Sequence, residues 1–227
     1  MRSVSGFLAC LAISISAFGM GLNDISNRDA VSGLKDALTQ ASTAATRQLG
    51  VENGFLGNDK VRIPLPGALK SIESGLRLLG MQGQADELVT AMNRAAEQAV
   101  PQARSLLVAA VKAMSVQDAK GILTGGDTAA TDYFRRTTSA QLTQKFLPIV
   151  TQATSRVGLA EKYNRIAERG AQWGLVDARQ ARIEAYVTQK TLDGLFFTIA
   201  EQERAIRHDP VGAATGMASK IFGLIGK

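Results

Sequence analysis

The sequence predicts an all-α fold: a single-domain helical bundle of about eight or nine helices, crossed by one extended, proline-containing strap. Three observations carry this. Apolar residues recur at helical spacing along most of the chain, between glycine and proline stops. Hydrophobic residues make up 45% of the 227 positions but aromatics only 5%, and alanine is abundant, a composition suited to closely packed helices. A clear period of two stands out in one place, where Val61, Ile63 and Leu65 alternate with Arg62, Pro64 and Pro66.

Residues 1–19 read as a secretory signal peptide. Arg2 is a minimal charged region, Phe7 to Phe18 is apolar but too short to span a bilayer, and Ala17-Phe18-Gly19 permits cleavage after Gly19. Cys10 lies too early for a lipobox, so lipoprotein processing is not expected and the expected location is the periplasm. Residues 20–227 then form one domain. Its first helix opens at Ser26-Asn27-Arg28-Asp29, which has the form of a capping box, and runs to about Leu49 with Val31, Leu34, Leu38, Ala41 and Ala45 inward. Gly50 stops it. Turns at Asn53-Gly54 and Gly57-Asn58 lead into the strap, 54–66, whose two prolines remove amide donors and exclude a central strand.

Helices follow from about Gly67 to Leu79 and from about Gln84 to Ala99. In the second, Asp86, Thr90, Asn93 and Glu97 fall within about 40° of one another, with Arg94 beside them. Pro101 suits the first turn of a helix to about Met114, and Ser115 to Asp118 cap a short helix ending by Gly125-Gly126. Asp127 is the expected N-cap of a long helix that Pro148 should kink or interrupt, with Gly158 ending its continuation. A helix spans about Leu159 to Arg169, and Asp177 opens another to about Arg207. Asp209-Pro210 starts the last, an amphipathic helix over 211–225.

The formal charge of +6 is scattered, and Arg135-Arg136 has no aromatic–basic ladder beside it, so a nucleic-acid partner is not expected. The single histidine, His208, adjoins a helix stop, and the single cysteine lies in the signal. That composition leaves no disulfide, no evident metal site and no Ser-His-Asp arrangement. No Walker loop or G-x-S-x-G is present. No catalytic residue, metal or cofactor is therefore expected. What remains is a set of polar residues among apolar faces: Asn58 and Arg62 at the strap's edge, Asp86, Asn93, Arg94 and Glu97, and Asp193 on a face with Tyr186, Phe197 and Ala200. Together they are the candidate binding groove. Asp193 calls for a cation, from Lys190, Arg62 or Arg94.

Several runs carry a family likeness. They are Gly54-Phe55 with Asn58 and Val61-Arg62-Ile63-Pro64-Leu65-Pro66; Met92-Asn93-Arg94-Ala95-Ala96-Glu97; Asp118-Ala119 with Ile122-Leu123; Ala129-Ala130-Thr131 with Tyr133-Phe134-Arg135; Asp193-Gly194-Leu195-Phe196; and Ile206-Arg207 with Asp209-Pro210. This set resembles the signature of a bacterial envelope family catalogued as domain of unknown function forty-one ninety-seven. Ala85 and Leu106-Leu107 depart from its pattern, by core-type changes. The resemblance implies a secreted helical protein and supplies no activity, cofactor or catalytic residue.

The leading expectation is a non-enzymatic ligand-binding or protein-interaction module of the cell envelope, its groove taking a lipid-like or anionic ligand or an envelope protein. One alternative is a carboxylate-dependent hydrolase or lyase acting on an envelope polymer, which needs two carboxyl groups facing one cleft. Another is a peripheral membrane protein held by the helix over 211–225.

Overall fold

The computed structural model describes residues 27–70, 80, 82–172 and 181–209. Among these every regular element is helical, with no strand: α1 (Asn27–Leu49), a helical turn at Gly67–Lys70, α2 (Gln82–Ala99), a 3-10 turn at Val100–Gln102, α3 (Ala103–Ala113), α4 (Val116–Leu123), α5 (Ala129–Thr154), α6 (Gly158–Gln172) and α7 (Ile183–His208). The signal peptide, Ser26, residues 71–79, Asp177 and the helix expected over 211–225 lie outside the described residues.

The centre of the bundle is the pair α5 and α7, flanked by α1 and α2; α3 lies against α1 and α5. Periodicity explains which faces go inward. Leu34, Leu38, Ala41 and Ala45 of α1 are buried, one turn apart in sequence, and Leu88, Met92, Ala95, Ala96 and Ala99 do the same for α2. The alanines let helix backbones approach closely, and Phe134, Phe146 and Phe196 fill the space between them. The capping box of α4 forms as the sequence suggests, with Ser115 and Asp118 exchanging hydrogen bonds.

Residues 62–66 carry no regular element. Val61, Ile63 and Leu65 are buried there while Arg62 and Pro64 are exposed. Phe55, just upstream, is fully buried and packs on Gly194 of α7: a Cβ at Gly194 would stand 2.7 Å from the Phe55 ring and 3.3 Å from Val61 Cβ. Gly194→Ala gains helix propensity but forces a buried ring to move. The steric effect wins, and the expected result is a loss of about 1–3 kcal/mol in urea unfolding. An unchanged or raised midpoint would show that the ring has room to give.

Three local expectations are corrected. Pro148 does not interrupt α5, which runs unbroken through it. Both Pro148 and Gln144, whose carbonyl loses its amide partner, face solvent, so water can take the free acceptor. Gly158 begins α6 rather than ending a continuation of α5. Asp127 is not the N-cap of α5. Thr128 holds that position without a side-chain cap bond, while Asp127 lies 3.7 Å from His208 Nε2. The first amides of α5 are met instead by a carboxylate from α7, Glu203.

Candidate functional site

Buried carboxylates and amides first settle which polar residues hold the fold. Asn93 is fully buried, and its amide pairs with both backbone groups of Ile63: Ile63 N–H donates to Oδ1 at 2.8 Å and Nδ2 donates to Ile63 C=O at 2.9 Å. Nδ2 also donates to Val89 C=O, so the side chain's hydrogen-bonding groups are all engaged. Glu97, one turn on, accepts from the amides of Phe55 and Leu56, both at 3.0 Å, and from Arg94 at 2.6 Å. Burial alone would push the Glu97 carboxyl up. The hydrogen bonds from Leu56, Arg94 and Phe55 outweigh it and hold the group below its usual range. Arg94 reaches on to Glu52 and to the Asn53 side chain. Tyr186 donates its hydroxyl to Pro64 C=O at 3.1 Å, and burial, with Tyr163 adding to it, pushes the phenol up to about 12.

These ties set the 54–66 segment as one wall of an open groove of about 510 Å³, within the size range of small-molecule sites. Lys60, Val61, Arg62 and Pro64 form that wall. The start of α5 supplies Thr128, Thr131, Asp132 and Arg135, and α7 supplies Lys190, Asp193, Phe196, Phe197, Ala200 and Arg204. The cations are unequally engaged. Lys60 and Arg204 both pair with Glu201, at 3.0 and 2.9 Å; those contacts, the Lys60 hydrogen bond first, hold the Glu201 carboxyl low. Lys190 lies 3.9 Å from Asp193. Among the described residues Arg62 and Arg135 have no acidic partner; the Arg135 Cζ lies over the Phe196 ring, 4.8 Å from its centroid.

Of the residues proposed from sequence, Arg62 and Asp193 come together on this groove. Asp193 is half-exposed, bonded by Gln189 and faced by Lys190, so Lys190 is the cation it called for. Asn93, Arg94 and Glu97 form a separate cluster that binds backbone and does not line the groove. Asn58 shapes the turn, its side chain accepting from Lys60 N–H and its carbonyl from the amides of Val61 and Arg62. Asp86 is exposed on the first turns of α2, about 10 Å along the axis from Asn93.

Arg135 was not in the sequence-derived set, and Phe197 and Lys190 entered it only as neighbours of Asp193. The Phe196-Phe197 pair was only a weak signal: neighbours on a helix point about 100° apart, yet in a central helix both can be buried, as Tyr133 and Phe134 are. Phe196 is buried and Phe197 is 39% exposed.

Fold and groove define an all-α protein with a basic, aromatic-lined groove. No group of three or more His, Cys, Asp or Glu among the described residues is placed to hold a metal, and no described helix is long and apolar enough to cross a membrane. The chain belongs to the family described as "Protein of unknown function (DUF4197)", which matches residues 24–223. No curated protein and no solved structure matches it.

Proposed function

We propose that this chain is a non-enzymatic binding module of the cell envelope, exported by residues 1–19 to the periplasm, that holds an anionic or lipid-like ligand in the groove between the 60–64 segment, α5 and α7. One observation carries the reading: two arginines without acidic partners among the described residues line a groove with an uncovered aromatic ring. The 54–66 segment is, in this reading, a strap across a bundle of about eight or nine helices. Its support is the burial of Val61, Ile63 and Leu65 and the side-chain ties from Asn93, Glu97 and Tyr186.

The test is to purify residues 20–227 from a periplasmic extract and weigh the native protein. The expected result is an added mass at fixed stoichiometry that disappears in the double variant Arg62→Glu, Arg135→Glu. The same added mass in that variant removes the groove. Recovery of the full-length chain from the cytoplasm alone removes the envelope assignment.

A carboxylate-dependent hydrolase or lyase has one observation in its favour, since Asp132 and Asp193 line the same groove. Turnover of envelope glycan fragments that stops in both Asp132→Asn and Asp193→Asn would replace the binding reading with that one.

A further inference from the structure

We infer that the groove takes a single-chain amphiphile with a monoanionic oxyanion head, of the alkyl carboxylate type: the head bound by Arg62 and Arg135, the chain covering Phe197. This rests on the binding reading above and specifies its ligand.

The charge balance selects the head. Lys60 and Arg204 share one carboxylate, Glu201, and Asp193 faces Lys190, so these three cations are held by contacts within the protein although one unit of their charge is not offset. Arg62 and Arg135 have no acidic partner among the described residues, and the attraction left for a ligand is strongest at these two guanidiniums. Asp132 lines the groove too and has no cationic partner among the described residues, so it opposes a second or third negative charge. A row of phosphates is mismatched to this surface; one oxyanion is matched. The neighbouring ring adds to this. Arg135, its Cζ 4.8 Å from the Phe196 ring centroid and without an acidic partner among the described residues, has N–H groups left for the two oxygens of a carboxylate.

The ring selects the rest of the molecule. Phe197 stays 39% exposed beside Ala200, an apolar surface that a small inorganic anion would leave in water. A chain attached to the head covers it. A volume of about 510 Å³ suits one such chain. The wall bearing Arg62 is tied in place through Ile63 and Pro64, so binding does not have to order it.

The experiment is calorimetric titration of residues 20–227 with dodecanoate below its micelle concentration, a neutral dodecyl glycoside, acetate and inorganic phosphate. Dodecanoate is expected to bind one per chain, at least about tenfold tighter than each of the others, a gap of about 1.4 kcal/mol. Arg62→Gln and Arg135→Gln each weaken it about tenfold. Phe197→Ser weakens dodecanoate and leaves acetate unchanged. Phosphate binding as tightly as dodecanoate, with both arginines required, overturns the amphiphile and keeps the anion groove. Equal binding of both dodecyl probes, sensitive to Phe197→Ser alone, overturns the anionic head. If no substitution alters any probe, the inference and the groove reading fall together. Circular dichroism melts confirm that the exposed-site variants are folded.

Discussion

Glu203→Ala is expected to lower the unfolding free energy by about 3–5 kcal/mol, the largest single-residue effect we foresee outside the apolar core. The carboxylate is 3% exposed and fully used. It accepts from the amides of Ala130 and Thr131, each at 2.9 Å, from the Thr131 hydroxyl at 2.8 Å, and from Arg207, itself 9% exposed. It thus caps α5 from a different helix, at the end where the helix dipole favours an anion. Alanine would strand two buried amides and deprive the Arg207 guanidinium of this carboxylate, while Arg207 still donates to Ile122 C=O. Glu203→Gln keeps the shape but turns an NH₂ group toward one of the amides, so it also destabilises, by about 2 kcal/mol. Guanidinium unfolding gives both values, and amide exchange at Ala130 and Thr131 should accelerate in each variant. Losses under about 1 kcal/mol for alanine would mean that Thr128 or water replaces the cap.

The same residue explains what could and could not be read from the sequence. Helical periodicity reports which face of each helix is apolar, because that face is written locally, and α1 to α4 follow it. Caps made within a few residues are also local: Ser115 and Asp118 announce themselves. Caps made between helices are not. Asp127 sits where a cap belongs, yet Glu203 does the work from 73 residues away. Likewise Asn164 of α6 accepts from the first amide of α7, at Ile183, and donates to Glu184. A local signal exists in hindsight. Glu203 lies four residues after Ile199 and three before Ile206, both buried, so its carboxylate stands in an apolar stripe with an arginine one turn on. Glu97 stands the same way among Asn93, Ala96 and Val100, all fully buried.

The groove was half legible for a related reason. Arg62 was marked because it stands on the polar edge of the strap's alternation, and Asp193 because it stands on an apolar helix face that calls for a cation such as Lys190. Arg135 was not, since exposed basic residues on helices usually mean solvation. Only the approach of the 60–64 segment to α5 and α7 gives these residues a shared surface.

The second large effect is the pH dependence of the Glu97 tie. The carboxyl is held below its ordinary value of 4.5 in the folded chain, burial opposing and the Leu56, Arg94 and Phe55 hydrogen bonds prevailing. A folded-state value below the unfolded one means that the unfolded chain binds the proton first as pH falls. The stabilisation is therefore complete above about pH 4.5 and drains away as pH drops through the folded-state value. Glu97→Gln, which cannot titrate, should be about 1–3 kcal/mol less stable than the wild type near neutral pH. That gap should close as pH is lowered from about 5 toward 3. Urea unfolding of both proteins across this range measures it directly. A gap that stays constant would mean that Glu97 acts through shape alone. A gap that widens on acidification would reverse the sign and place the proton on the folded chain first. Because Glu97 holds Phe55 and Leu56, the wild type at low pH should also expose Gly54 to Asn58 to protease before the helices open.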